Sequence, residues 1–336
     1  MNIEKLSQIL LADQPAFRFK QVQKLIYQDL IGDWQEASNL PLVLREKLNQ
    51  ECPLNIEGEM LEIDQKKSTK KAIITLIDGL KVETVLVRHK DGRNTVCVSS
   101  QVGCPLGCAF CATGEMGFER SLDAMEIVEQ VLFFARYLKK SNEKISNIVY
   151  MGMGEPFLNY DHVLTSIKTL NHPEKFGLGA RHISISTSGI IEGIKKFTQE
   201  KMQINLAISL HAPTDELRSE LMPVNKKYQL KKVLLAVDNY IEKTGRRVMF
   251  EYVMIKGIND SSKQAERLSL IMKKPLYMVN LISYNPTGRF EASSNETIEK
   301  FKKILQKKGV AVTQRVSFGG ELQAACGQLA IKNKRK

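Results

Sequence analysis

Apolar positions follow one rhythm at the start of the chain and another after it. In the first fifty residues they recur every three or four positions. Ile3, Leu6 and Leu10 form one set, Phe17, Leu25 and Leu30 with Gln21 a second, and residues 40–48 a third. That period predicts three short helices, each with one buried stripe. Between 60 and 90 the pattern alternates on both sides of Asp78-Gly79, which predicts a hairpin. From about residue 95, short apolar runs at 95–100, 147–151, 182–187, 203–210, 248–255 and 277–284 read as strands. Amphipathic runs follow them at 123–138, 161–170, 190–200, 230–243, 262–273 and 295–308. Strand alternating with helix builds a parallel sheet. Six such units fit a partial barrel or an open doubly wound sheet, and in either the ligand binds at the carboxyl ends of the strands. The organisation expected is a helical accessory segment (1–58), a β-rich connector (59–94) and an α/β core (95–336).

Composition narrows the class. At 43% hydrophobic and 26% charged the chain is an ordinary globular one. No apolar run approaches the ~20 residues of a membrane span. The opening stretch carries Glu4 and Asp13 and does not read as a signal peptide. Six cysteines are too sparse for a disulfide scaffold, so a reduced, cytoplasmic, monomeric protein is expected. Lys and Arg number 49 against 37 Asp and Glu, a net charge of +12. Such an excess points to a polyanionic partner, most often nucleic acid, without locating the patch. Arg18, Lys20 and Lys24 lie among Phe17, Phe19 and Tyr27. They suit an RNA-contacting module, and equally an amphipathic helix that covers the core. Arg181, Lys226 and Lys227 are further candidate phosphate contacts.

The densest chemistry is Cys104-Pro-Leu-Gly-Cys108-Ala-Phe-Cys111, directly after the first core strand. Three thiolates so close can converge on one soft metal centre, zinc or iron–sulfur. A closed zinc site needs a fourth ligand, for which Cys97 and Cys326 are distant candidates. On a four-iron cluster, three cysteines leave one iron open. The C-x3-C-x2-C spacing resembles the radical S-adenosylmethionine (SAM) superfamily. There the open iron chelates the amino and carboxyl groups of the cofactor, and a reduced [4Fe–4S] cluster cleaves it to a deoxyadenosyl radical. Other strand-end motifs are Met151-Gly-Met-Gly154-Glu155-Pro156, Ser184-Ile-Ser186-Thr-Ser188-Gly189, Ser209-Leu210-His211-Ala212 and Tyr284-Asn285-Pro286. Each alone is weak; Ser188, for instance, could simply cap the next helix.

Joined to Val82-Glu83-Thr84-Val85, Ser99-Ser-Gln-Val-Gly103, Cys97 and Ala324-Ala-Cys326-Gly-Gln-Leu329, the set resembles the RlmN/Cfr family of RNA adenine methyltransferases. The resemblance runs from Phe17-Arg18 and Gln21 to this last motif. It implies a partial (β/α)6 TIM-like radical SAM barrel with a small N-terminal helical accessory domain. It implies Cys104, Cys108 and Cys111 as cluster ligands, and Gly154, Glu155, Ser186, Ser209, Leu210, His211 and Asn285 around SAM. Two SAM molecules would serve each turnover. One methylates Cys326; the other is cleaved to a radical that takes a hydrogen from the S-methyl group. The methylene radical adds to the adenine, Glu83 removes the ring proton, and Cys97 attacks the Cys326 sulfur, releasing methylated RNA as a disulfide forms. His211, His182 and His162 are other candidate bases, of which only His211 lies at a strand end. The implied substrates are 23S rRNA in the peptidyl-transferase centre and tRNA at the adenosine 3′ of the anticodon, with flavodoxin or ferredoxin as electron donor. Gly154-Glu155-Pro156 resembles the adenine-C2 branch. Ser317-Phe-Gly-Gly-Glu-Leu-Gln323 departs from that branch's acidic pattern and leans toward the C8-specific, antibiotic-resistance branch. C2 is the favoured position and C8 the alternative. Two readings compete with this one. A radical enzyme for a protein or small molecule is disfavoured by the charge and the Cys97/Cys326 pair. A zinc-stabilised RNA-binding protein is disfavoured by the three-cysteine cluster.

Overall fold

The computed structural model describes residues 3–61, 69–315 and 326–330. The chain opens with α1 (Ile3–Asp13), α2 (Phe17–Tyr27) and α3 (Leu42–Glu51). The buried stripe of α2 is Val22, Leu25, Ile26 and Tyr27, and that of α3 is Leu44 and Leu48. Trp34, the chain's single tryptophan, is completely buried, and its indole donates to the Cys52 carbonyl (2.8 Å). Asp33 and Glu36 cap its turn reciprocally. The apolar core runs without a break from these helices into the rest of the molecule. At the seam, Arg136 donates to the Leu54 carbonyl (2.8 Å) and Lys139 to that of Asp29 (2.6 Å), while Lys20 pairs with Glu174 (2.9 Å).

Three strands follow, β1 (Gly58–Leu61), β2 (Thr69–Thr75) and β3 (Lys81–Arg88). The turn between β2 and β3 falls at Asp78-Gly79, as the alternation predicts, with Thr75 opposite Lys81. Next come β4 (Asn94–Cys97), β5 (Gln101–Gly103), α4 (Ala112–Glu115), β6 (Phe118–Ser121), α5 (Ala124–Lys139), β7 (Asn147–Tyr150) and α6 (Tyr160–Asn171). The chain continues through β8 (Ile183–Thr187), α7 (Ile191–Phe197), β9 (Asn205–Ser209), α8 (Asp215–Leu221), α9 (Leu230–Thr244) and β10 (Val248–Met254). It ends with α10 (Ser262–Ile271), β11 (Tyr277–Ser283), α11 (Asn295–Lys307) and β12 (Val312–Arg315).

One sheet carries ten of these strands, in the order β1-β2-β3-β4-β7-β8-β9-β10-β11-β12. From β4 to β12 neighbours run parallel; β1, β2, β3 and β4 pair antiparallel at one edge. The connector hairpin is thus continuous with the core sheet, because Val85 of β3 pairs directly with Cys97 of β4. The six core strands expected from the sequence are present. A seventh, β12, extends the parallel run; its Val-Thr-Gln-Arg sequence is too short and polar to announce itself. The small β5–β6 hairpin is separate from the main sheet and carries the chain into the cysteine loop. Gly103 (φ +76°) has to be glycine there, since a Cβ would lie 2.0 Å from the Gly117 carbonyl oxygen. Among the described residues no helix is long and apolar enough to cross a membrane. The stretch 317–323 that bears on the methylated position, and the basic tail 332–336, lie outside the described residues.

Candidate active site

The carboxyl ends of β7 to β11 surround a cavity of about 170 Å³. Cys104, Cys108 and Cys111 line it, and so does Cys326 from the far end of the sequence. Burial raises the Cys104 thiol to about 12 and lifts Cys108 well above its ordinary range, with neighbouring thiols adding to both shifts. Thiols so placed become thiolates only beside strong positive charge, which a bound metal centre supplies. Among the described residues no three His, Cys, Asp or Glu side chains are gathered tightly enough for a single ion. The three thiols instead share one pocket wall, a donor set that fits an iron–sulfur cluster.

Gly154 and Glu155 form the adjoining wall. Gly154 has φ +98°, and a Cβ there would lie 2.6 Å from the Gln101 side chain. Gln101 accepts the Glu155 backbone N–H (2.9 Å). Ser99 donates to the Glu83 carbonyl (2.6 Å) and accepts the Met153 N–H (2.9 Å), while Gln130 from α5 holds both backbone groups of Ser99. The Ser-Ser-Gln motif therefore fixes the loop after β7. The Glu155 carboxylate is buried, which raises its pKa, and it accepts from Phe157 N–H, Ser188 N–H and the Ser188 hydroxyl. Among the described residues no lysine or arginine forms a salt bridge with it. An incoming ammonium group suits such a carboxylate. Ser188 is thus a partner of Glu155; the turn before α7 is held by Thr187, which accepts from Gly189 and Ile190.

Ser186 and Ser209 meet across β8 and β9 (3.4 Å) on the pocket wall. Asn285 lines it too and donates to the Cys326 carbonyl (3.3 Å). His211 (φ +59°) is buried, and burial lowers its pKa to about 3. Its Nδ1 accepts the Val253 N–H (3.1 Å), so the ring is neutral with its proton on Nε2. It is therefore not poised to take a proton. Leu210 does not line the pocket: its side chain is fully buried, its N–H donates to the Glu251 carbonyl and its own carbonyl accepts from Arg218 and Ala212. His182 and His162 are exposed, and neither lines the pocket.

Two expected residues do not line this pocket. Cys97 is half-buried at the end of β4, and Glu83 is buried on β3; neither lines the wall that carries Cys326. Among the described residues no disulfide is formed. Two important residues escaped the sequence reading. Glu251, buried in the pocket, accepts from Asn280 (2.8 Å); its signal was a lone carboxylate inside the apolar strand β10. Arg218 of α8 is fully buried. It donates to the carbonyls of Ser188 (2.7 Å), Ser209 (3.0 Å) and Leu210 (3.2 Å) and to Asn225 Oδ1 (2.8 Å), which ties the ends of β8 and β9 together. Burial lowers its pKa to about 10, so it stays charged at neutral pH.

Residues 98–268 match the model of the radical SAM superfamily. The probable dual-specificity RNA methyltransferase RlmN of Symbiobacterium thermophilum is 44% identical, covering 100% of this chain and 91% of the relative. The protein of the same name from Geobacillus kaustophilus is also 44% identical, over 100% and 93%. This chain belongs to the RlmN family of radical SAM enzymes. Its fold superposes on a radical SAM methyltransferase from Sphaerobacter thermophilus with a TM-score of 0.93, at 41% identity over 98% of this chain and 97% of that one. The family's cofactors are a [4Fe–4S] cluster and SAM. The three pocket thiols and the Gly154-Glu155 wall are the groups that fit them.

Proposed function

We propose that the enzyme methylates C2 of adenosine in 23S rRNA and in tRNA, with Cys326 as the methyl carrier. The observation that supports this most is the presence of Cys326, an exposed thiol, in the same pocket as Cys104, Cys108 and Cys111. An adenine C2 carbon is too electron-poor to attack a sulfonium methyl, so a carrier thioether that can be turned into a carbon radical is needed. When bound, the cluster and two SAM molecules per turnover supply the methyl group and the radical that activates it. The Cys326 thiolate accepts the methyl group and presents the carbon to the base. Glu83 takes the ring proton. The radical adduct would give up one electron, which the bound cluster could take back; Cys97, giving up its proton, then attacks the Cys326 sulfur: an S–S bond forms, the bond from that sulfur to the carrier carbon breaks, and the carbon keeps the bonding pair and takes a proton, so that methylated RNA leaves. An external thiol reduces the disulfide. Glu155 and Asn285 hold the methionine part of SAM, with Ser186 and Ser209 beside it. A flavodoxin or ferredoxin supplies electrons to a monomer in the cytoplasm. C8 methylation is the second reading, because residues 317–323 depart from the acidic pattern of the C2 branch.

The test is mass spectrometry of nucleosides after anaerobic reaction with methyl-deuterated SAM, on RNA from cells lacking such an enzyme. Labelled 2-methyladenosine that keeps two of its three methyl deuteriums is expected. Labelled 8-methyladenosine would move the enzyme to the other branch. Deoxyadenosine without a labelled nucleoside would refute the RNA reading.

A further inference from the structure

Glu83 and Lys71 do not line the pocket, yet Glu83 touches the segment that carries its reactive cysteine. Glu83 of β3 stands opposite Ile73 of β2, so Lys71 is its diagonal neighbour on the same face. Lys71 Nζ is 3.0 Å from Glu83 Oε1. Both residues are buried, at 7% and 2% exposure. The second carboxylate oxygen, Oε2, accepts the backbone N–H of Ala330 (3.0 Å), just beyond Cys326. A buried ion pair usually gains little net stability, because desolvating two charges offsets their attraction. What it does supply is a fixed direction for the carboxylate. The Glu83 backbone is fixed as well, through Ser99 to its carbonyl and through its own N–H to Met153 Sδ (3.3 Å).

Several further contacts of the segment are neutral. Ala112 N–H donates to the Gly327 carbonyl (2.8 Å), the Thr113 hydroxyl to that of Leu329 (2.6 Å), Asn285 to that of Cys326, and Gln328 to that of Pro286 (3.1 Å). These hold the segment from the cysteine loop and from the end of β11. The bond to Glu83 is charge-assisted, and it comes from the antiparallel part of the sheet.

We propose that Lys71 and Glu83 form a latch in which Lys71 orients the carboxylate, and the carboxylate, by holding Ala330, sets where Cys326 stands in the pocket. Both act here as positioning residues. While the segment is docked, Lys71 engages one carboxylate oxygen and Ala330 the other. This inference rests on the reading of Cys326 as methyl carrier.

Two double variants test it without leaving a lone buried charge. Lys71→Met/Glu83→Gln keeps an oxygen for Ala330, and Lys71→Met/Glu83→Leu does not. Two quantities are read on holoenzyme of equal iron content: amide hydrogen exchange in the 326–330 peptide, and S-methylation of Cys326 by SAM, a step that needs no ring-proton base. RNA methylation is lost in both variants if Glu83 is the base, so it is not the readout. The leucine variant should exchange roughly tenfold faster at Ala330 and S-methylate Cys326 several-fold more slowly, while the glutamine variant stays near wild type. Equal exchange and equal S-methylation in the two variants would overturn the latch. If the leucine variant fails to fold, Ala330→Pro removes the same N–H and leaves the ion pair intact; wild-type S-methylation in that variant would overturn the latch too. A wild-type enzyme that never S-methylates Cys326 would instead refute the carrier reading, while the exchange data would still report on the latch.

Discussion

Replacing Arg218 with methionine removes the clamp between β8 and β9 while keeping most of its volume. Four hydrogen bonds of 2.7–3.2 Å are lost, to Ser188, Ser209, Leu210 and Asn225. The Leu210 carbonyl keeps a bond from Ala212 N–H, so the loss there is softened. Leaving these buried carbonyl and amide oxygens without their donor costs about 4 kcal/mol in all. At ~2 °C per kcal/mol for a chain of this size, the melting temperature should fall by roughly 8 °C. The damage is also directed. Ser188 carries two of the hydrogen bonds on Glu155, and Ser209 lines the pocket, so SAM affinity should weaken by at least about tenfold. Lysine can reach some of these acceptors but cannot fork to all four, and Arg218→Lys should fall between wild type and methionine. Anaerobic thermal melts and calorimetric titration with SAM measure both quantities. A methionine variant melting within about 1 °C of wild type with unchanged SAM affinity would refute the clamp.

Acid should weaken the fold through His211. Its pKa of about 3 lies below the ordinary value of 6.5, so between those values the folded state binds fewer protons than the unfolded one and stability falls as pH drops. By pH 5 the loss from this residue is about 2 kcal/mol relative to neutral pH. His211→Asn tolerates the left-handed backbone and keeps an acceptor for Val253, and should lose correspondingly less; denaturant melts at both pH values that are parallel for the two proteins would contradict the neutral ring. Gly154→Ala places a methyl group 2.6 Å from Gln101 at φ +98°. The displaced Glu155 should then weaken SAM binding by roughly tenfold or more, and an unchanged dissociation constant would show that this wall does not meet the cofactor.

The alternation of strand and helix and the turn at Asp78-Gly79 were legible because both are local signals: a period of two or 3.6 and a turn dipeptide. The cysteine triplet was legible by spacing alone. Glu251 was visible but unexplained, a charge in an apolar strand whose meaning depends on Asn280 in the neighbouring strand. Arg218 and the Lys71–Glu83 pair were not legible. Their partners are set by which strand ends meet and by cross-strand register, and no single-sequence period reports those. The partner of Ser188 was left open for the same reason: a serine before a helix could cap it, whereas its hydroxyl donates to the Glu155 carboxylate in the loop after β7.

Trp34 gives the molecule an internal reporter. A single indole, wholly enclosed and bonded to the Cys52 carbonyl within the amino-terminal segment, emits in a dry environment while that segment stays folded. Its unfolding would bring water to the ring and red-shift its fluorescence. The pocket is built from other elements, so an iron–sulfur absorption band there reports on a different part of the same chain. Following the two signals during denaturation would reveal whether helices and sheet come apart together or in sequence, with no label added.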